Sequence, residues 1–323
     1  MTTRAYGSGL ICGFRLTALT AYDDDWQNEV ETNQPSWLHF NLSDTRAREW
    51  LKARSDLPEE ARELLLGADP RIHLELLEHG IAAVLGDLYH DFDDDPERLG
   101  TLRLYVSDKL ILTGRTHPLM SVDVLRRDLS RTAEPQTPVS VLQRLIERLA
   151  DVLARVVQKL GDQVDTAEDR ILEGKYAKQG TPLGNLRRLV ARLRRLVSAN
   201  RSTLGALPPR LADVYEAEAR EALRSAIERL DAVGQDLDLV QERARLLQEE
   251  IAGRMSEVTN RNLFILSIAT TTLLPITLLT GIWGMNVGGL PFANNPHGFY
   301  IVMLGIGATV LLALWLLRRI GAL

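Results

Sequence analysis

Residues 263–317 contain no Lys, Arg, Asp or Glu, in a chain that is 25% charged overall. Two apolar runs make up most of this stretch: 263–283 (LFILSIATTTLLPITLLTGIW) and 299–317 (FYIVMLGIGATVLLALWLL). Each has the roughly 20 residues that a helix needs to cross a hydrocarbon core about 30 Å thick. The alternative is a hairpin buried in a soluble protein, but charge-free runs of this length are those of membrane spans. Arg254 and Arg261 precede the first run, Arg318 and Arg319 follow the second, and the connecting loop 284–298 has no basic residue except His297. That asymmetry predicts cytoplasmic termini and an external loop. Trp283, Phe299, Tyr300 and Trp315 fall near the span ends, where aromatic rings favour the membrane interface.

Two helices have no interior in which to shield a hydrated ion from lipid. If the chain conducts anything, several copies must surround the path. In the first span, Asn260, Leu263, Ser267, Thr270, Leu274, Thr277 and Gly281 follow one helical stripe. The stripe gathers small and hydroxylated residues with two leucine constrictions, as a pore face would. The competing reading is that the hydroxyls bond back to the preceding turn, which is expected for Thr271 and Thr272. Pro275 kinks the span or loosens one turn, which membrane helices tolerate. The second span, with Gly305, Gly307 and Ala308, has no comparable polar stripe and reads as the outer, lipid-facing helix.

Upstream, Pro208-Pro209 can open a helix, and nothing obvious stops one before Gly281. From about residue 211 to 283 it would extend about 110 Å. Apolar or small residues recur along it at Leu223, Ile227, Leu230, Val233, Leu237, Val240, Ala244, Leu247, Ile251, Met255 and Val258, a coiled-coil-like seam. Residues 139–174 form another long amphipathic helix. Residues 183–204 form a shorter basic one, whose Arg187, Arg188, Arg192, Arg194, Arg195 and Arg201 suit a cation-repelling collar, an acidic helix partner or a solvated face. Antiparallel helices beside a stalk fit this pattern.

Residues 1–135 change character. Segments 36–42, 81–90, 102–108 and 109–115 read as strands. Ser43 suits the N-cap of a helix, and a second helix runs between Pro58 and Gly67. The expected organisation is α+β: a mixed domain at 1–135, a long-helix stalk at 136–262 and a membrane part at 263–323. No phosphate loop, nucleophile elbow or zinc-enzyme motif is present, so an enzyme is not expected. The acidic segments 22–26 (YDDDW) and 91–98 (DFDDDPER) are candidates for a regulatory divalent ion or plain solvated loops. None of the six histidines forms a metal-binding i, i+4 pair. Net charge is −5, which gives no sign of nucleic-acid binding. Cys12 is the one cysteine, so no intrachain disulfide is possible and a reducing compartment is expected. The N-terminal residues do not read as a signal peptide.

Gly284, Met285 and Asn286, at the end of the first of two C-terminal spans, resemble the Gly-Met-Asn signature of CorA-type divalent cation transporters. The continuation VGGLP (287–291), PSWLHFNL near the N-terminus and RLYVSDKLILTGR are similar to the ZntB branch of that family. The resemblance spans nearly the whole chain. It implies a homopentameric funnel in a bacterial cytoplasmic membrane: a cytosolic α/β/α domain, a stalk helix that becomes the inner pore helix, and an outer helix returning to the cytoplasm. Carried over by position, Asn286 rings the outer mouth, Gly284 and Met285 shape its turn, and Asn260, Leu263, Leu274 and Thr277 face the pore. Met285 departs from many ZntB-type sequences, which replace that methionine.

The expected activity is movement of Zn2+, with Cd2+, Ni2+ and Co2+ as related cargo and no permanently bound cofactor. The alternatives are Mg2+/Co2+ influx of the CorA type and a membrane-anchored coiled-coil scaffold. Asn side chains and backbone carbonyls can face a hydrated cation without stripping its water. His297 is either a zinc ligand or an ordinary loop residue. The spans contain no Asp, Glu, Lys, Arg or His, so a proton relay through buried carboxylates is excluded there.

Overall fold

A computed structural model describes residues 9–22, 34–90, 99–175, 180–207, 217–285, 287–292 and 295–319. Two compact units emerge, Met1–Gln248 and Glu249–Leu323.

The first unit is built on a mixed sheet. Its strands are β1 (Leu10–Arg15), β2 (Thr20–Ala21), β3 (Ser36–Asn41), β4 (His73–Leu77), β5 (Gly80–Leu88), β6 (Leu99–Val106) and β7 (Leu110–Arg115). The spatial order is β2-β1-β3-β7-β6-β5-β4. Only β3 and β7 pair in parallel, Trp37 opposite Ile111 and His39 opposite Thr113; the other neighbours are antiparallel. Alternation along the strands gives the sheet two apolar faces. On one, Leu38, Phe40, Val84 and Leu112 pack with helices α1 (Thr45–Ala53) and α2 (Glu59–Leu66) through Ala47, Leu51, Ala61 and Leu65. The other carries Trp37, His39, Ile111 and Thr113, all buried, beneath α3 (Met120–Leu129) and α4 (Pro138–Leu172). The result is the expected α/β/α domain.

Local signals explain several boundaries. The α1 N-cap is Asp44, not Ser43: the Asp44 carboxylate accepts from the Arg46 amide at 2.9 Å, while the Ser43 hydroxyl donates to the Thr116 carbonyl at 3.2 Å. Asp44 has the extended backbone that a cap requires. For α4, Thr137 and Ser140 form a reciprocal capping box at 2.9 and 3.1 Å, with Pro138 at the first helical position.

Helix α5 (Gly180–Leu204) and helix α6 (Ala217–Trp283) complete the set of long helices. Within the first unit, α6 buries Leu223, Ile227, Leu230, Val233, Leu237, Val240, Ala244 and Leu247, as its spacing predicts. Ile251 is the last buried position; Met255 and Val258 are 50% and 43% exposed. Ion pairs fix the directions of the helices. Arg229 meets Asp151 at 2.9 Å, and Arg243 meets Asp165 and Glu168 at 2.5 and 2.9 Å, so α4 and α6 run parallel. Arg194 meets Asp238 at 2.8 Å and Arg201 meets Asp231, so α5 is antiparallel to α6. The expectation of antiparallel neighbours holds for α5 alone. These two contacts also make α6 the acidic helix partner of the basic helix.

Candidate functional site

The second unit contains the C-terminal part of α6, the loop after it, and helix α7 (Gly298–Arg319). The most apolar windows of α6 and α7 have mean hydropathies of 1.9 and 2.3 and are 0% and 6% buried. A core helix of a soluble protein would be covered. Leu266, Leu273, Leu304 and Leu311 are each more than 60% exposed or close to it, so lipid or further copies of the chain must cover them.

The candidate stripe on α6 keeps its register. Asn260, Leu263, Ser267, Thr270, Leu274, Thr277 and Gly281 are all exposed. The more sheltered positions are Ile268, Thr272, Pro275, Ile276, Leu279 and Trp283. At about 100° per residue, the two sets lie on opposite sides of the helix. The hydroxyls of Thr270 and Thr277 donate back to the carbonyls of Leu266 and Leu273, both at 2.8 Å. Back-bonding spends the hydroxyl proton inside the helix and leaves the oxygen lone pairs as outward acceptors. Acceptors suit the waters around a cation. Thr272 departs from expectation: its hydroxyl oxygen is buried and has no partner among the described residues. Pro275 lies inside a continuous helix, so the carbonyl four residues earlier lacks its usual donor.

The loop between α6 and α7 is held by its own backbone. The amide of Gly284 donates to the Thr280 carbonyl at 2.9 Å, and that of Met285 to Ile282 at 3.3 Å. The indole N–H of Trp283 donates to the Pro291 carbonyl at 3.1 Å, closing the segment that contains the tripeptide. Further on, the Asn295 amide donates to Phe292, and the Gly298 amide to Asn295. A Cβ at Gly298 would approach the Phe292 carbonyl to 2.4 Å, so only glycine fits this turn. Asn286 lies outside the described residues. His297 is exposed, and its amide donates to the Asn295 side chain at 2.9 Å.

Among the described residues no group of three or more His, Cys, Asp or Glu could hold a metal ion. The candidate acidic segments, Asp23–Asp25 with Trp26 and 91–98, fall outside the described residues. Burial pushes the Cys12 thiol up to about 12, so it is not a ready thiolate ligand. Burial also holds His39 well below the ordinary histidine range, and its Nδ1 shares a 2.9 Å hydrogen bond with Thr113 Oγ1. At the far end of α7, the Arg319 guanidinium lies 5.3 Å above the Trp315 ring. In the sequence, Trp283 reads only as an interface aromatic. Its pairing with Pro291 leaves no signal in the sequence, because the acceptor is a backbone carbonyl.

The model of the family described as "CorA-like Mg2+ transporter protein" matches residues 32–319. The chain belongs to that family. Among relatives of this CorA-like chain, the Zinc transport protein ZntB of Yersinia pseudotuberculosis is 30% identical over 290 residues, covering 90% of this chain and 88% of the relative. The Divalent cation transporter CmaX of Pseudomonas aeruginosa is 30% identical over 331 residues, covering 97% and 96%. The solved structure of full-length CmaX matches with a TM-score of 0.81 at 28% identity, over 97% of this chain and 98% of that one. The CorA-like assignment therefore covers both units, the soluble sheet with its long helices and the two candidate membrane helices.

Proposed function

We propose that the chain moves divalent cations, Zn2+ foremost, across a bacterial cytoplasmic membrane as a homopentamer, with both termini in the cytoplasm. The single observation that carries this reading is the exposed stripe from Asn260 to Gly281, small and hydroxylated residues with two leucines, opposite the sheltered side of α6. Copies of α6 around one axis turn that stripe into the wall of an aqueous path, with leucine rings at Leu263 and Leu274. Threonine oxygens at Thr270 and Thr277 then face the cation's waters. Gly284, Met285 and Asn286 form the outer mouth, where neutral carbonyl and amide oxygens attract a cation without holding it fast. In this reading residues 1–135 and 136–262 are the cytosolic domain and stalk, and 263–323 the transmembrane part.

Zinc is supported by the name of the ZntB relative at 30% identity. Magnesium is the second reading, favoured by the description of the family model itself. His297 is a zinc ligand only if other copies supply its companions.

The test is uptake of Zn2+ against Mg2+ into proteoliposomes, with and without a pH gradient, for the natural protein and Asn286→Ala. Zn2+ uptake lost in the variant supports the assignment. Equal uptake by both proteins removes Asn286 from recognition, and uptake of Mg2+ alone overturns the choice of zinc.

A further inference from the structure

The first unit has a hollow whose chemistry runs against that of the chain around it. Between the end of β5, the start of β6 and one face of α5 lies a cleft of about 600 Å³. Arg71, Arg192 and Arg195 line it, with Ile72, Leu196 and Thr101, and no carboxylate among the described residues. The contrast with a second cleft of about 730 Å³ in the same unit is direct: that one is lined by Asp56, Glu60, Glu75 and Glu78. In a chain of net charge −5, a hollow whose described lining holds three arginines and no carboxylate is not the background composition.

The wall is also fixed in place. Asn200, fully buried on α5, accepts from the Gly86 amide and donates to the Gly86 carbonyl, both at 2.9 Å. Those two backbone groups lie beyond the last residue of β5 that pairs with β4, so Asn200 completes an edge the sheet leaves open. The spacing 192, 195, 196 and 199 puts the two arginines and the apolar residues on one face of the anchored helix. Arg71 is already held by Asp69 at 2.5 Å. Arg195 is exposed and has no ion-pair or hydrogen-bond partner among the described residues.

We propose that this cleft binds a nucleotide-sized phosphorylated ligand. Its phosphates lie against Arg195, whose forked donors match phosphate oxygens, with the charge of Arg192 beside it, and its ring lies against Ile72 and Leu196. The volume is in the range of small-molecule sites, about 300–1,000 Å³. Helix α5 also carries Arg194 and Arg201, the partners of Asp238 and Asp231, so a ligand here sits on the helix that is bonded to α6.

The experiment is calorimetric titration of the full-length protein in detergent with ATP, with EDTA present so that no divalent cation bridges the phosphates. The proposal expects saturable binding, weakened about 10-fold or more by Arg195→Ala with the melting temperature unchanged. It expects Arg188→Ala, on the same helix outside the cleft, to bind as the natural protein does. Pyrophosphate should bind about 10-fold more weakly than ATP, because it lacks the ring. No binding, or equal weakening by both arginine substitutions, overturns the site; equal affinity for pyrophosphate and ATP overturns the nucleotide class. None of these readouts involves transport, so their failure leaves the proposed function standing.

Discussion

The indole N–H of Trp283, the last residue of α6, donates to the carbonyl of Pro291 at 3.1 Å and so bridges the two ends of the segment holding Gly284, Met285 and Asn286. A loop with no internal charge has few ways to hold its shape, and this bond is one of them. Trp283→Phe keeps the ring and removes the donor. Losing one hydrogen bond, about 0.5–1.5 kcal/mol, is expected to cut Zn2+ uptake about 2- to 10-fold while expression and membrane insertion stay normal. Uptake at the natural rate in Trp283→Phe would mean that transport does not depend on this bond.

Asp87 has a different task. Its carboxylate accepts from the Ser121 amide at 3.1 Å, from the Ser121 hydroxyl and from the Leu88 amide at 2.7 Å, and it caps α3, whose own N-cap residue Leu119 offers no side-chain acceptor. Burial raises its pKa from 3.8 to about 6; the Ser121 and Leu88 donors oppose this, and Asp123 adds to it. Because the folded value lies above the unfolded one, the folded state binds more protons between pH 4 and 6. The Asp87 contribution to stability is therefore greatest below about pH 4 and falls by about 3 kcal/mol as pH rises through 6. Melting curves of the natural protein and Asp87→Asn at pH 4.5 and 6.5 check this. The natural protein should lose ground relative to the variant at the higher pH, and a constant difference would contradict the assignment.

Asn200→Ala leaves both the amide and the carbonyl of Gly86 without a partner in a buried place. The expected cost is about 2–4 kcal/mol, seen as a clear drop in melting temperature. Arg224→Ala removes an exposed pair with Glu228 on α6 and should cost less than about 0.5 kcal/mol. Similar losses for the two variants would argue against the Asn200 anchor.

How far the sequence reveals this structure depends on whether the signal is local. Strands β3, β5, β6 and β7 are visible from their apolar runs. Strand β1 is hidden by Gly13, which is glycine because a Cβ there would come within 2.9 Å of the Tyr22 ring. Strand β4 (HLELL) has no fully buried residue and is too short a run to stand out. Helix α3 lacks a start signal because its cap, Asp87, stands 34 positions away. The α6 seam is legible as far as Ile251; Met255 and Val258 continue the period but are not buried within the chain. The stripe on the first span is readable because a helix turns at a fixed rate. The direction of α4 against α6 is not, since it shows only in contacts between residues far apart in the chain, such as Arg229 with Asp151 and Arg243 with Asp165. The loop's hydrogen bonds are equally invisible, because backbone carbonyls leave no mark in a sequence.

The central claim is that one side of α6 faces the path of the ion. Single cysteines placed in a Cys12→Ala background and treated with a bulky charged thiol reagent measure this directly. The account predicts that modification of Thr270→Cys or Leu274→Cys abolishes Zn2+ uptake, whereas Ile268→Cys and Leu279→Cys proteins, on the sheltered side, keep it. Undiminished uptake by fully labelled Thr270→Cys and Leu274→Cys proteins would contradict it.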